Sequence, residues 1–471
     1  MRPIRNSNLA VALALLLAGG TMAACADDIV IGNVDQDNYA THTGGESLAY
    51  VADQDGNQQY STAEFRGSGS TTLFLKTAKS DGADNLIAYT YDKAALDAYN
   101  TATGNAYEAM PQALVTLPDG GADLLPAGQK RSAGIAVGYQ SGPELDAGKS
   151  YVIPLRVSIT SGNLKLPEGT GTHLIFVKDL TGTPDCAKAS GVKLFSCMEV
   201  NGTNPLNNLC FTLKNSGKYM VDYVILFSSN INYDAARGRA YLFHNENVQA
   251  ILSNREKYLK PLKDRGMKVI LSILGNHDRA GVANLSEEMA RDFAREVKAT
   301  CDAYDLDGVF LDDEYSEYIT PPPPGFVSPS NAAAARLYYE IHKLQPDRAN
   351  IAYVYSRTSS LPAVEDLESG YFVDYALHDY GGSYDLSSQY PGMPKERMGL
   401  HSQEFARGRW ASETNLQNMR ANGYLAHMIF AMSPTTGNFQ SQQLPAMEKI
   451  ARALYDDECV YDGQPYQVDW K

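Results

Sequence analysis

Three acidic side chains stand together at the end of an apolar run in "LDGVFLDDEYSEY", residues 306–318. The apolar residues predict a buried strand, and a carboxylate is costly to bury without a partner or a function. Because side chains alternate between the faces of a strand, Asp312 and Glu314 share one face and Asp313 points to the other. Two neighbouring carboxylates in a semi-enclosed cleft cannot both ionise freely, so one pKa is expected to rise. A protonated acid beside a charged carboxylate suits cleavage of a glycosidic bond.

The same alternation gives this strand an inner and an outer face. Val309 and Leu311 are expected to pack on helices, which leaves Phe310 facing inward with the two carboxylates. The alternative use of these acids is a metal site or a buried ion-pair cluster. Magnesium would need further acids on neighbouring strand ends. Asp234 and Asp278 keep that alternative open, but the spacing favours a site without metal or cofactor.

The chain from residue 179 to residue 471 alternates between strand-like and helical patterns. The apolar runs are "KLFSCMEV", "VDYVILFSSNINYD", "MKVILSILGN", "LDGVFLDDEY", "ANIAYVYS", "YFVDYALHDY", "RMGLHSQEF" and "YLAHMIFAM". Near-continuous apolar strands that alternate with amphipathic helices indicate a parallel sheet of the α/β class. Eight of them over about 280 residues fit a (β/α)8 barrel of the TIM type. An open, doubly wound sheet is the alternative, although no Gly-rich phosphate loop is present.

In such a barrel the carboxyl ends of the strands carry the active site. Amides and imidazoles gather at the predicted strand ends, and these groups suit neutral sugar hydroxyls. Each of them alone fits a supporting or loop role, but the set predicts a polar carbohydrate cleft. The candidate substrate-binding residues are Asn230 and Asn232 (second strand), Asn276 and His277 (third), Tyr315 (fourth), and Gln403 and Glu404 (seventh).

Residues 45–178 predict an all-β domain that precedes the barrel. Short runs such as "TTLFLKTA", "NLIAYTYD" and "YVIPLRVSIT" are separated by Gly, Pro, Asp and Ser. Their spacing fits an immunoglobulin-like sandwich, interrupted by one helical piece, "DKAALDAYNTA". The domain shows no catalytic pattern. Two roles are therefore open: a spacer that holds the barrel away from a membrane, or a glycan-binding module.

The amino-terminus carries a targeting signal. Two arginines precede an apolar run that is too short to span a bilayer, so residues 1–24 predict a secretory signal peptide. The ending "TMAAC" is similar to a bacterial lipobox and makes Cys25 the candidate lipidated residue; an ordinary signal peptide with an incidental cysteine is the alternative. The acids in residues 25–44 predict a tether that resembles export signals of Bacteroidetes lipoproteins. We expect an outer-membrane lipoprotein at the cell surface.

Charge and cysteine usage exclude other classes of function. The net charge is −15, and a surface that negative repels phosphate backbones, so nucleic acid is excluded as a partner. The cysteines show no metal-binding spacing. In an oxidising compartment some can pair, and Cys186, Cys197 and Cys210 lie close enough in sequence for one local bridge. We expect a monomer.

The fourth-strand segment resembles the DxxDxDxE signature of glycoside hydrolase family 18, and within it the endo-β-N-acetylglucosaminidases of the Endo H and Endo F type. Four motifs match in order: "VILFSSNINYD", "AYLFHNENVQAIL", "KVILSILGNHDRAGVANL" and "LDGVFLDDEYSEY". The likeness covers most of residues 190–455. It implies cleavage of the β-1,4 bond in the N,N'-diacetylchitobiose core of N-glycans, with high-mannose glycans favoured. One GlcNAc would stay on the protein.

The resemblance also implies roles for individual residues. In that family the substrate's own 2-acetamido oxygen is the nucleophile, and hydrolysis proceeds with retention. Glu314 would be the acid and base, Asp312 would hold the acetamido N–H, and Tyr380 would hydrogen-bond the attacking carbonyl. The family places an aspartate where Phe310 stands, so other groups must tune Asp312.

Two other functions are open. A chitinase of the same family is one. Chitinases that bind long chains use exposed tryptophan rings to hold the substrate, and this chain has only Trp410 and Trp470. The second is a non-catalytic glycan-binding lipoprotein, which the presence of Glu314 disfavours.

Overall fold

The computed structural model describes residues 48–470. The predicted signal peptide, the acidic tether and Cys25 lie outside the described residues. Within the described range, no helix has both the length and the apolar character that crossing a membrane requires.

The amino-terminal part is a sandwich of two sheets. Its strands and helix are β1 (Ala49–Asp53), β2 (Tyr60–Phe65), β3 (Ser68–Thr77), β4 (Asn85–Tyr91), α1 (Lys93–Thr103), β5 (Glu108–Ala109), β6 (Val115–Thr116), β7 (Ala122–Leu125), β8 (Ile135–Gln140), β9 (Ser150–Ser161) and β10 (Thr172–Asp179). One sheet has the order β1-β3-β8-β6, and the other β2-β10-β9-β4-β7 with β5 beside β9. Alternate residues from both sheets, such as Leu73 and Ile153, form the core between them. The predicted all-β sandwich is confirmed.

The rest of the chain forms a second part of the structure, built around a ten-stranded sheet. Its elements are β11 (Lys193–Glu199), β12 (Phe211–Leu213), β13 (Tyr223–Asp234), β14 (Arg239–Phe243), α2 (Glu246–Ser253), α3 (Arg255–Tyr258), α4 (Lys260–Lys263), β15 (Lys268–Leu274), α5 (Glu287–Tyr304), β16 (Gly308–Asp312), α6 (Asn331–Leu344), β17 (Ala349–Val354), β18 (Tyr375–His378), β19 (Met398–Gly399), β20 (Gln403–Glu404), α7 (Glu413–Ala421), β21 (Ala426–Phe430), α8 (Leu444–Tyr455) and β22 (Cys459–Tyr461).

Eight parallel strands of this sheet close into a ring. The order is β11-β13-β15-β16-β17-β18-β19-β21, and β21 pairs back to β11 with Lys193 opposite Ala426. Each strand lies within one of the eight apolar runs. The predicted (β/α)8 barrel is confirmed, and the open sheet is wrong because the first and last strands are hydrogen-bonded to each other.

The barrel wall separates two apolar clusters, and β16 contributes to both. Phe310 lies in the interior with residues of neighbouring strands such as Ile270 and Ile351. Val309 and Leu311 lie in the outer core between the strands and the helices. The predicted alternation is confirmed within β16, so the face that carries Phe310 also directs Asp312 inward, and Glu314 follows two residues beyond the end of the strand.

The helical layer is uneven around the barrel. Helix α5 is well delimited, because the Ser286 hydroxyl accepts a hydrogen bond from the Met289 N–H at its start and Asp305 ends it in a left-handed conformation. Between β17 and β18, and again between β18 and β19, the connections contain short 3-10 turns in place of α-helices. The carboxyl ends of β17 and β18 are therefore followed by irregular loops, which are common carriers of functional residues.

The sandwich lies against the amino-terminal face of the barrel. Glu64 of β2 makes a 2.6 Å ion pair with Lys268, the first residue of β15. The Tyr107 hydroxyl donates to Asp347 at 2.6 Å, just before β17. A cavity of about 1710 Å³ with a charged lining lies between the two parts. These contacts place the sandwich on the side opposite the strand ends that carry the acids.

The five cysteines of the described chain are all free: Cys186, Cys197, Cys210, Cys301 and Cys459. The local bridge that their spacing allowed is therefore wrong. Cys197 faces the barrel interior, whereas Cys186 and Cys210 lie in the outer core, so the strand wall separates it from them. The Cys186 thiol instead donates to the Arg265 carbonyl at 3.3 Å.

Candidate active site

Asp312 is a buried carboxylate at the carboxyl end of β16. Its side chain is only 3% exposed, and its Oδ1 atom has no hydrogen-bond partner among the described residues. Phe310 lies one inward position below it on the same strand. Burial raises the pKa of Asp312 well above its usual value, and the nearby charges of Glu314 and Asp313 add to that rise. The site therefore favours the protonated form of the Asp312 carboxyl, or a hydrogen bond to it from a ligand donor.

Glu314 lies two residues further out and is half-buried. Burial is the largest cause that raises its pKa; Arg407 opposes the rise, and Asp379 and Asp313 add to it. Its position is fixed through its carbonyl, which accepts the Gly275 N–H at 3.1 Å. A Cβ at Gly275 would lie 2.3 Å from that oxygen, so this close approach requires glycine. A partly exposed carboxyl with a raised pKa is suited to giving and taking a proton.

Asp313 points to the other side of the wall, as the alternation predicts. The Tyr318 hydroxyl donates to its Oδ1, and the Arg357 backbone N–H donates to its Oδ2 at 3.0 Å. These donors come from the loops that follow β16 and β17. Asp313 thus joins two loops of the barrel mouth, while its neighbours on either side face the cleft.

Tyr380 lies in the turn after β18 and faces the barrel interior. Its ring centroid is 6.4 Å from that of Tyr353 and 6.1 Å from that of Phe430. Burial raises the pKa of its hydroxyl, followed by the effects of Tyr353 and Cys197, so the group stays a neutral donor. Interaction with Asp312 contributes to the same rise, which places Tyr380 on the same side of the cleft as that carboxylate.

The turn that carries Tyr380 is fixed by His378. The imidazole is 1% exposed, and its Nε2 lies 2.8 Å from the Tyr384 carbonyl oxygen. Its Nδ1 lies so close to Gly382 that a Cβ there would be 2.1 Å away. The turn therefore wraps around the imidazole, which ties the position of Tyr380 to the end of β18.

Of the three candidate asparagines, one stabilises a strand end and the other two form a pair whose amide groups are accessible. Asn230 donates from Nδ2 to the Gly275 carbonyl at 3.0 Å, so it fixes the end of β15. Asn276 is exposed and donates to the Asn232 side-chain oxygen at 3.2 Å. This pair leaves amide groups available to a polar ligand.

His277 and Tyr315 lie together at the rim. Both residues have positive φ angles, 50° and 58°, and the His277 N–H donates to the Tyr315 carbonyl at 2.7 Å. Their ring centroids are 5.5 Å apart. The Tyr315 side chain is 54% exposed, beside Glu314 in the chain. Both residues therefore hold an uncommon left-handed backbone conformation and keep exposed side chains beside Glu314.

Gln403 and Glu404 are more buried than the sequence suggests. The Gln403 amide is fully enclosed, with Nε2 at 2.9 Å from the His427 Nε2 and Oε1 accepting the Ala411 N–H at 3.0 Å. Gln403 therefore supports the loop after strand seven. Glu404 leaves its Oε2 without a hydrogen bond, and the Arg407 guanidinium lies 3.9 Å from that atom.

The acids considered for a metal serve other purposes. Asp278 accepts the backbone N–H groups of Tyr233 and Ala280 at 3.1 and 3.0 Å, so it closes a loop. A cluster with metal-ligand spacing exists elsewhere in the described residues: it comprises Glu287, Glu340 and Glu365 on the helical layer, where Arg336 forms ion pairs with all three.

Five residues near the two carboxylates were not predicted from sequence. Tyr353 and Tyr355 follow the strand-end rule and could have been found at the end of the fifth strand. Cys197 has a strongly raised pKa, first from burial and then from Asp312, so it is a neutral neighbour of that carboxylate. Asp379 directly follows β18 and could have been found by the same strand-end rule. The fifth, Arg407, lies in a turn after strand seven whose path the local sequence does not specify.

Comparison with known proteins assigns the chain to a family. Endo-beta-N-acetylglucosaminidase F1 of Elizabethkingia meningoseptica is 61% identical over 292 residues, which are 62% of this chain and 85% of that protein. The endo-beta-N-acetylglucosaminidase of Flavobacterium sp. (strain SK1022) is 32% identical over 284 residues, 60% of this chain and 86% of that protein. A family model described as an N-terminal domain matches residues 41–164.

Solved structures agree with these relatives. EndoBT-3987 of Bacteroides thetaiotamicron, crystallised with a Man5GlcNAc product, matches with a TM-score of 0.81 and 34% identity over 89% of this chain and 99% of that one. The same enzyme with a Man9GlcNAc2Asn substrate matches with a TM-score of 0.74 and 33% identity, with the same coverage. These matches confirm the predicted resemblance. The chain belongs to the endo-β-N-acetylglucosaminidase family of glycoside hydrolases.

Proposed function

We propose that this protein hydrolyses the β-1,4 bond of the N,N'-diacetylchitobiose core of N-glycans, with high-mannose glycans as the favoured substrates. The observation that carries the proposal is the pair of carboxyls at the carboxyl end of β16, with Asp312 buried and Glu314 half-buried two residues beyond it, and with Tyr380 packed against the barrel interior. The relatives named above, including the enzyme solved with Man9GlcNAc2Asn, support this bond as the target.

Glu314, Asp312 and Tyr380 divide the tasks of the proposed reaction, and Glu314 acts in both steps. The 2-acetamido oxygen of the reacting sugar attacks its own anomeric carbon, while Glu314 gives its proton to the leaving oxygen. Asp312 accepts the acetamido N–H and balances the positive charge of the oxazolinium. Tyr380 donates to the attacking carbonyl oxygen. Glu314 then takes a proton from water, which opens the ring with net retention.

The test of this function is to weigh both products. A high-mannose glycoprotein treated with the purified protein should keep one GlcNAc at each site, and the released glycan should end in the other. Release of the intact glycan with both GlcNAc residues would contradict the proposal. Cleavage of chitin oligomers with no action on the glycoprotein would favour the chitinase alternative.

Arg407 is expected to lower the alkaline limit of activity slightly, against the larger effect of burial, which raises the pKa of Glu314. Its cation lowers the pKa of Glu314, and Glu314 must be protonated for the first step. Activity therefore falls as pH rises through that pKa, and Arg407→Met should move the alkaline limb of the kcat/KM profile to higher pH. The side chain is 74% exposed, so the shift should be small and should shrink at high salt.

Arg409→Met is the matched control, because Arg409 is an exposed arginine on the same turn. Its pH profile should match that of the wild type. A shift of the alkaline limb to lower pH in Arg407→Met would contradict the proposal that Arg407 lowers the pKa of Glu314.

We further propose that the mature protein is a monomeric surface lipoprotein anchored through Cys25. The "TMAAC" segment supports lipidation, and the position of the sandwich opposite the cleft would leave the cleft facing away from the membrane. An alkyne-tagged fatty acid should label the wild type, and Cys25→Ser should be unlabelled and appear in the medium. Light scattering of the soluble variant should give the mass of one chain.

A further inference from the structure

Two exposed tyrosines flank Glu314 at the mouth of the barrel. Tyr315 follows it in the chain and is 54% exposed, and Tyr355 follows the end of the adjacent strand β17 and is 41% exposed. The negative charge of Glu314 is the largest cause that raises the pKa of the Tyr355 hydroxyl, so the two groups are near each other. Large exposed rings grouped beside polar side chains are a feature of binding sites.

Each of these rings is supported from one side by another ring. Tyr355 stacks on Tyr353 with centroids 5.9 Å apart and planes within 17°, and Tyr353 in turn contacts Phe310 in the interior at 5.7 Å. Tyr315 rests against His277. Rings already held in place lose little conformational entropy when a ligand covers them.

The burial of the two acids indicates which sugar of the substrate would contact Tyr315 and Tyr355. Asp312 is deeply buried, Glu314 is half-buried, and Tyr315 is exposed, so the strand end runs outward in that order. In the proposed reaction Asp312 holds the sugar whose anomeric carbon reacts, and Glu314 protonates the bridging oxygen. The groups beyond Glu314 then border the leaving sugar.

We propose that Tyr315 and Tyr355 form the subsite for the leaving N-acetylglucosamine, the residue that stays attached to asparagine. The apolar C–H face of a pyranose can cover a tyrosine ring, and its hydroxyls can bond the phenol and neighbouring polar groups. His277 and the exposed Asn276 lie beside Tyr315 and supply such groups. The inference rests on the proposed function and adds the recognition of the leaving group.

A glycan oxazoline separates the two halves of the reaction, because it already contains the intermediate and has no leaving sugar. Its hydrolysis forms a bond from water to the anomeric carbon, breaks the bond to the acetamido oxygen, and passes the water proton to Glu314. In transfer, the 4-hydroxyl of a GlcNAc-asparagine peptide takes the place of water. Only glycopeptide cleavage and transfer require the subsite.

Tyr315→Ala and Tyr355→Ala should each lower kcat/KM on a high-mannose glycopeptide about tenfold, the scale of about 1.4 kcal/mol. Transfer should fall by the same factor, while oxazoline hydrolysis stays at the wild-type rate. The Phe variants should keep most of the glycopeptide activity. Tyr466→Ala is the control, because Tyr466 is 39% exposed in the carboxyl-terminal segment, where its backbone N–H donates to Asn207.

A parallel loss of oxazoline hydrolysis in the Ala variants would overturn the assignment, since the rings would then act on the reacting sugar or on the fold. Unchanged glycopeptide kinetics would overturn it as well. Failure of the wild type to hydrolyse the oxazoline would instead refute the proposed reaction, so the two failures are distinguishable.

Discussion

Glu314→Gln is expected to abolish cleavage while the protein stays folded. Loss of a general acid and base lowers kcat by about 10²–10⁴-fold, and here one residue serves in both steps. The amide has the shape of the protonated carboxyl, and burial already favours the neutral form by raising the pKa of Glu314. The unfolding temperature should therefore match that of the wild type. Initial rates on a fluorescent high-mannose glycopeptide and a thermal melt measure the two effects.

Glu317→Gln is the matched control for this variant. Glu317 is in the same loop region, three residues along the chain, and its side chain is 67% exposed. The same chemical change there should leave kcat within the error of the assay. Equal rates for Glu314→Gln and the wild type would contradict the proposed reaction, and a collapse of the melting temperature would show a structural role for Glu314.

The residues of the fourth strand that face the barrel interior could be predicted, because the face on which a strand residue lies depends on local geometry alone. Alternation along β16 sends Phe310 and Asp312 to one side, and Val309 and Leu311 to the other, and Glu314 follows two residues beyond the strand. The closed ring was predictable from the number and spacing of apolar runs. Neither inference requires knowledge of which residues meet across loops.

The groups that tune the site could not be predicted in that way. Arg407 acts on Glu314 from a turn after strand seven, and Gln403 turns out to be enclosed by His427 and Ala411. Such contacts depend on loop paths that are set by packing far along the chain. A bridge between Cys197 and Cys186 is prevented for a similar reason, because closeness in sequence ignores the barrel wall that stands between them.

The departure at Phe310 changes how Asp312 is controlled. An aspartate at that position would place a second titrating group next to Asp312. Phe310 and the buried, neutral Cys197 instead give Asp312 uncharged neighbours on the interior side. The pKa of Asp312 is then raised by burial first and by Glu314 and Asp313 next. Such interacting carboxyls titrate as a group. A substrate N–H directed at the unpartnered Oδ1 would favour the ionised form that the reaction requires.

Asp312→Asn is expected to lower kcat while it leaves the protein as stable as the wild type or more so. Removal of one preorganised group that stabilises transition-state charge costs about 10²–10³-fold in kcat, and KM should change little. A raised pKa means that the folded state binds more protons than the unfolded state, so stability falls as pH rises through that window. The amide cannot ionise, so this loss of stability should be absent from the variant.

The neighbouring Asp313→Asn should show the opposite pattern. Its carboxylate accepts from the Tyr318 hydroxyl and the Arg357 N–H, so the variant should lose about 1–3 kcal/mol of unfolding free energy and keep most of its kcat. Urea unfolding over a pH series from mildly acidic to mildly alkaline, together with rates on one glycopeptide, measures both variants. Equal losses of rate in the two would contradict the division of roles, because two adjacent aspartates on opposite faces of one strand should separate catalysis from stability.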